Sequence, residues 1–507
     1  MDILSEETWD VVIAGTSIPQ ALLALALSRS GKKILHVDRH EYYGGEDAGL
    51  SLQEAVDWAH HSIQAASHVF SEASVSFDDG QAAPNSTGRL ASSRSYTLSL
   101  NPQIIYAQSS FLPTLVSSRI HSQLEFLAVG SWWIRSDKKL HRIPSTREDV
   151  FNDETLSMKD KRGLMKFLRF ALQQEEDTSF EAVDPALSFT DVLSNTFKIR
   201  DNLQAPLLAL ALSPTPAASI PFSMALSRIR RHMRSMGYFG PGFGAVVAKY
   251  GGNSEMAQVA CRAGAVGGAV YLLGHHLTEV QLPTSTVSGQ STDESTLFHC
   301  TLSDGTPIRS KVVVGSLDDL PPDMPRASSA TTPVDVWRTI SIVADPLRSL
   351  FPQTADNGPV PAVAIVLVDT PTSEGSATGP IYLQVHSEDT GECPSGQCII
   401  YASLMSESAS AQERLKAAVD DFVEGCGAVQ SVLWTLSYRV STSDQQGTFG
   451  VDDLASKLFC FRRRAHDLSF SDDIIAPVKE VWTHILGSEA VDEHFLRFEE
   501  RETEVED

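Results

Sequence analysis

Six cysteines among 507 residues (Cys261, Cys300, Cys393, Cys398, Cys426, Cys460) are too few for a disulfide framework, and they suit a reducing compartment. Cys393 and Cys398 make a C-x4-C pair, but no second Cys or His pair follows at zinc spacing, so they read as ordinary thiols. Basic residues are short as well: 40 Lys and Arg face 64 Asp and Glu, a net charge of −24. So acidic a chain is a poor nucleic-acid binder, because phosphates need basic surface to neutralise them. It is equally ill-suited to casual adhesion on anionic lipid. No apolar run approaches the roughly 18 residues of a membrane-spanning helix. The opening MDILSEETWD has no basic or apolar leader region, and the final residues form no C-a-a-X box. Asn85-Ser86-Thr87 matches a glycosylation sequon that means little without a leader. No Ser/His/Asp set, metal-ligand spacing or phosphate loop stands out. What remains is a soluble, cytosolic, acidic chain whose 42% apolar content can fill several cores.

The first forty residues say most. Trp9 to Gly15 is a β-branched run ending in glycine, which predicts a buried strand. Ile18 to Ser30 predicts a small-residue helix with Ala21, Ala24 and Ala26 on a packing face. Gly31 closes it, and Lys33 to Asp38 is a second strand ending in a carboxylate. Together they make the first half of a dinucleotide-binding βαβ unit. Residues 70–95 are Ser/Ala/Gly-rich and predict a loop, as do 282–296 and 369–397. Val150–Leu172 and Phe189–Leu212 have helical periodicity. Lys311–Gly315 reads as a strand, and a last helical region begins near Ser471 before the acidic tail Glu499–Asp507.

The phosphate-binding turn is defective. It reads Gly15-Thr16-Ser17-Ile18-Pro19-Gln20, and a dinucleotide fingerprint wants glycine where Ser17 stands, so that no Cβ meets the pyrophosphate. Pro19 removes an N–H that a bound phosphate would use. Two readings stay open: a fold that has lost its cofactor, or a flavin or nicotinamide enzyme with a degenerate loop. Asp38 would hold a ribose in the second and merely end a strand in the first. The segment Asp38-Arg39-His40-Glu41-Tyr42-Tyr43-Gly44-Gly45 then sets two amphipathic rings on a tight turn. They are either anchors for another protein or half-buried packing.

Four collinear stretches carry a resemblance: VVIAGTSIPQALLALALSRSGKKILHVDRHEYYGG at 11–45, YTLSLNPQIIYAQSSFLPTLVSSRIHSQLEFLAV at 96–129, IPSTREDVFNDETLSMKDKRGLMKFLRF at 143–170 and YGGNSEMAQVACRAGAVGGAVYLL at 250–273. They are similar to the Rab escort protein / Rab GDP-dissociation-inhibitor superfamily. The resemblance implies a flavoprotein-like, Rossmann-type α/β (α+β) fold with a helical insert domain and no bound flavin. It implies binding of GDP-bound Rab GTPases and shielding of their geranylgeranyl lipid. On the family's Rab-binding platform it places Tyr43, Glu255 and Arg262, with Arg39 and Gln258 in support. Tyr250 and Gly251 sit one residue further from Glu255 than in the family pattern, and Ala269 replaces the second glycine of a pair.

Within the superfamily, the DVFN element at 149–152 and the stretch from Lys161 resemble the escort branch. There a Phe and an Arg contact Rab geranylgeranyltransferase, and they map to Phe151 and Arg162. The expectation is therefore a non-catalytic escort component. It would present GDP-bound Rab to the transferase heterodimer and deliver the product in transient membrane contact. A recycling Rab GDP-dissociation inhibitor and an FAD-dependent oxidoreductase are the alternatives. The expected division is 1–110 with 237–470 as the Rossmann-like, Rab-binding part and 111–236 as a mainly helical lipid- and transferase-binding part. Residues 471–507 make a helical segment and acidic tail. The cluster Arg228, Arg230, Arg231 and Arg234 reads as a solvated helix face.

Overall fold

The buried strands Thr8–Ala14 and Ile34–Asp38 pair in parallel, joined by the helix Ile18–Leu27, every residue of which is buried. A helix apolar all round must be covered all round. It lies on the sheet and against the helices Asn253–Val266 and Ile475–Leu486, with Ala21, Ala24, Ala257 and Ala260 in the shared core. The structure, a computed structural model, describes residues 2–499 apart from 65–66, 68, 78–88, 145–155, 174–183, 284–295, 325–333, 354–357, 369–378, 429–431, 443–448, 455–456 and 466.

Two large sheets organise the described residues. The eight-stranded one runs Val270–Leu273, Ile34–Asp38, Thr8–Ala14, Pro307–Ser316, Phe298–Leu302, Leu277–Gln281, with Leu458–Phe461 beside Pro307–Ser316 and Val451–Asp453 beside Leu458–Phe461. Its first four strands are parallel, the arrangement expected of a nucleotide-type unit. The ten-stranded sheet starts at Phe70–Phe77 and passes through Val432–Thr442, Val334–Val343, Cys398–Met405 and Ile381–His386. It continues through Val363–Val368, Phe126–Ser136 and Ala245–Ala248 to Ile105–Tyr106. It is antiparallel except where Val363–Val368 lies parallel to Phe126–Ser136. Helix Ala411–Gly425 covers one face.

Helices Met158–Leu172, Phe189–Asn195, Gln204–Ala211 and Phe222–Ser235 gather round a core rich in phenylalanine (Phe167, Phe189, Phe197, Phe222). The chain departs from the larger sheet after the hairpin Phe126–Ser136 and Lys139–Arg142 and re-enters it at Ala245–Ala248. That returning strand pairs with Phe126 to Val129. Among the described residues no helix is long and apolar enough to cross a membrane. All six cysteines are free, five of them buried.

Several expectations need correcting. The stretch 111–236 opens with the helix Phe111–Ser117 but also contains the sheet strand Phe126–Ser136, in which an irregularity between Val129 and Trp132 keeps Val129, Trp132 and Ile134 in one sheet core. The expected loop at 70–95 begins instead with the edge strand Phe70–Phe77. Its serines disguise a buried side on which Phe70 meets Trp58 at 5.2 Å and Ala73 is enclosed. Likewise the tract 369–397 contains the strand Ile381–His386. The arginine cluster is not a simple solvated face either. Arg228 pairs with Asp467 at 2.5 Å, Arg230 donates to the Ala171 carbonyl at 2.9 Å and Arg231 to the Phe470 carbonyl at 2.7 Å. Only Arg234 is exposed.

Candidate functional site

In open parallel sheets, sites form at the carboxyl ends of the strands. Here Ile34–Asp38 runs into the Tyr42–Gly45 turn, bent at Gly44 with φ +107°. A Cβ on Gly44 would come within 2.9 Å of the Ala48 Cα, so the turn requires glycine. The turn is fastened from below: the Gly44 amide donates to the Thr16 hydroxyl at 2.9 Å, and that hydroxyl donates to Asp38 at 2.6 Å.

The two tyrosines divide their work. Tyr42 stacks on His40 at 4.7 Å and packs inward towards the core around Trp58. Tyr43 turns the other way and meets the Tyr271 ring edge-on at 6.1 Å, its own ring half-buried. Tyr271 lies on the neighbouring strand Val270–Leu273, so the second tyrosine is propped by the sheet.

Beside it stands the helix Asn253–Val266. Glu255, Gln258 and Arg262 fall at intervals of three and four on it, hence along one face. Glu255 and Gln258 are half-buried and Arg262 is exposed. Burial raises the Glu255 pKa and the charge of Arg262 partly offsets this. Burial also raises the Tyr43 phenol pKa, and Arg262 again acts in the opposite sense. The structure thus brings Arg262 within electrostatic reach of both Tyr43 and Glu255, with Gln258 between the two charges on the helix. Arg39 is exposed but points elsewhere along the rim, where its guanidinium donates to the Asp318 carbonyl.

Of the other expected pair, Arg162 is exposed on the helix Met158–Leu172. That helix opens with a capping box between Ser157 and Asp160, and Arg200 grips Asp160 from outside, holding its carboxyl below the usual range. Phe151 lies outside the described residues. Among the described residues no group of His, Cys, Asp and Glu is placed to hold a metal.

Beneath the rim lies the defective turn. Gly15 has φ +86°, and a Cβ there would sit 2.2 Å from the Asp319 carboxylate. Asp319 accepts from Gln20 at 3.0 Å and from Ser316 at 2.5 Å. Desolvation, with the nearby charge of Asp38, raises its pKa to about 7. At the start of the helix Ile18–Leu27, the Ile18 amide donates to the buried Asp47 carboxylate at 3.2 Å. Sequence reasoning missed Asp47 and Asp319. Neither belongs to a motif, and Asp319 stands 299 positions from the Gln20 it meets.

The profile of the family described as "GDI: GDP dissociation inhibitor" matches residues 5–489. The chain belongs to the GDP dissociation inhibitor family. Among its relatives is "Rab proteins geranylgeranyltransferase component A" of Saccharomyces cerevisiae, 29% identical over 81% of this chain. The match spans 64% of that relative's length. Among solved structures, a Rab GDI of Plasmodium falciparum superposes with a TM-score of 0.64 at 19% identity, over 95% of this chain and 98% of the other. An oxidoreductase of Methanosarcina mazei superposes at 0.55 and 12%, over 93% and 99%. Both likenesses concern the fold.

Because this GDI-family fold is shared with an oxidoreductase, the turn must be tested for a dinucleotide. The residues do not fit one. The helix amide that would face a phosphate is bound by Asp47, a second carboxylate fills the space beside Gly15, and Ser17 brings a Cβ to the closest approach. A pyrophosphate placed there would meet negative charge where it needs donors.

Proposed function

We propose that this chain is a Rab escort protein, an accessory component without catalytic residues of its own. It binds GDP-bound Rab GTPases and presents them to the Rab geranylgeranyltransferase heterodimer. It then carries the lipidated product to membranes, touching them only transiently. The observation that carries the reading is the shared rim of Tyr43, Glu255, Gln258 and Arg262, built on a nucleotide-type scaffold whose phosphate turn is filled by carboxylates. An aromatic anchor flanked by two opposite charges suits recognition of a folded protein surface. Arg39 flanks that rim, while Phe151 and Arg162 would meet the transferase.

The yeast relative's name favours the escort role over that of a recycling inhibitor, as does the escort-like stretch 149–170. Shielding a C20 lipid is worth about 0.8 kcal/mol for each CH2 withdrawn from water. The helical layer is the natural place for it, although Ile199 and Leu207 are already packed in its core and Leu164, Leu168 and Leu203 lie against that core.

The deciding experiment supplies unprenylated GDP-loaded Rab, transferase and geranylgeranyl diphosphate, with and without this chain. Prenyl transfer should depend on the chain. Extraction of prenylated Rab from membranes without any stimulation of transfer would make it a recycling inhibitor. Stoichiometric flavin absorbance in the purified protein would favour an oxidoreductase.

A further inference from the structure

We infer that Asp47 is the positioning residue of the rim, a buried carboxylate that sets the Tyr42–Gly45 turn against the helix bearing Glu255 and Arg262. The inference rests on the Rab-binding reading above and adds to it the element that fixes the geometry of the surface.

Asp47 is 0% exposed. An ionised carboxylate in such a place is tolerated only when its lone pairs are met by donors. Four donors meet it, each from a different part of the chain. Oδ2 accepts from the Ile18 amide at 3.2 Å and from Arg464 Nη2 at 2.7 Å. Oδ1 accepts from Asn101 Nδ2 at 2.9 Å and from Asn253 Nδ2 at 3.3 Å. Ile18 opens the helix Ile18–Leu27 and Asn253 opens the helix that carries Glu255 and Arg262. Asp47 itself closes the single turn Gly45–Asp47 that follows Gly44.

One side chain therefore ties the Tyr43 turn to the starts of both helices. Secondary ties brace the same junction. Arg464 also grips Glu46 at 2.6 Å, and Asn253 also donates to Gln103 Oε1 at 2.8 Å. Asn253 is 0% exposed and Arg464 6%, so neither offers surface to a partner. Whatever this cluster does for binding passes through the placement of Tyr43, Glu255 and Arg262. Placement matters because a rim of few contacts loses its charge-assisted bonds when donor and acceptor shift apart.

The test exchanges donor and acceptor. Asn253→Asp sets a second carboxylate against Asp47, and Asp47→Asn combined with Asn253→Asp restores a donor–acceptor pair at the same place. Affinity for GDP-loaded, unprenylated Rab is measured at a temperature where circular dichroism reports each variant fully folded. Asn253→Asp should weaken binding by about 10-fold or more, and the exchanged pair should recover part of that loss, because its new amide meets the carboxylate at position 253 but also faces the Asn101 Nδ2 donor. Asn253→Ala, which removes the bonds to Asp47 and Gln103 without adding charge, serves if Asn253→Asp does not fold and should weaken binding by about 5-fold. Folded variants that bind like wild type, or an exchanged pair that folds without regaining affinity, would overturn the inference. Failure of the wild-type chain to bind GDP-loaded Rab would instead overturn the Rab-binding reading, and this inference with it.

Discussion

Arg262 stands two helical turns beyond Glu255 on one face, and its charge draws the Glu255 pKa down against the stronger upward push of burial. Seven residues are too many for the two side chains to bond directly, since helical pairs form at three or four. Among the described residues neither side chain has a hydrogen-bond partner. Glu255→Ala and Arg262→Ala should each weaken GDP-Rab binding by roughly 10- to 100-fold, about 1.5–3 kcal/mol. Thermal midpoints should barely move. Calorimetric titration and melting curves on the same preparations check both halves.

The raised pKa of Glu255 gives binding a pH dependence of definite sign. A carboxyl with a raised pKa takes up its proton sooner than an exposed glutamate as pH falls. If a cationic Rab group meets it, affinity should drop from neutral towards mildly acidic pH. Glu255→Gln should bind more weakly at neutral pH and show a flatter profile. An identical slope in the two proteins would assign the effect to another group.

Asp319 provides a second, independent titration. Its pKa is raised from 3.8 to about 7, so its favourable contribution to folding is fully present below about pH 3.8 and is lost as pH rises through about 7. Asp319→Asn keeps an oxygen for the Ser316 and Gln20 donors and has no charge to acquire. The variant should match wild type in acid and be more stable by about 4 kcal/mol above neutrality. Denaturant midpoints across that range decide it.

Repairing the fingerprint should not restore a cofactor. Ser17→Gly removes one Cβ, but it leaves Asp47 on the Ile18 amide and Asp319 beside Gly15. The variant should purify without flavin absorbance. Stoichiometric flavin in Ser17→Gly would mean that the carboxylates are not the obstacle.

The pair of Arg228 and Asp467 anchors the helix Phe222–Ser235 to the segment that leads into the last helix. Arg228 also donates to the Leu212 carbonyl at 3.1 Å. Arg228→Ala would leave Asp467 largely enclosed without its cation, and should destabilise the chain by about 2–3 kcal/mol. Arg234→Ala, on the exposed side of the same helix, should change little.

Much of this was legible in the sequence because the signals were local. The strand, turn, helix and strand from Thr8 to Asp38 follow from periodicity and glycine placement within thirty residues. Ser17 and Pro19 announced a weakened phosphate grip in the same stretch. Tyr43 and the face of Glu255, Gln258 and Arg262 come from family resemblance, since nothing in the 211 residues between Tyr43 and Glu255 indicates that the turn and the helix meet. What was not legible depends on long-range encounters. Asp319 and Asp47 look like ordinary surface acids until the fold delivers them to the phosphate turn. The serines of Phe70–Phe77 resemble a loop until an edge position lets every other residue face water. Arg228, Arg230 and Arg231 passed for a solvated stripe because their acceptors lie on segments remote in the chain.

The pairing of Phe126–Ser136 with Ala245–Ala248 has an evolutionary consequence. The helical layer begins and ends at adjacent positions on one sheet, so it can be lengthened, trimmed or replaced as a cassette without rethreading any strand. The rim that includes Tyr43, Glu255 and Arg262 lies wholly outside that cassette. Descendants of such a chain can therefore change the helices while inheriting the rim unchanged.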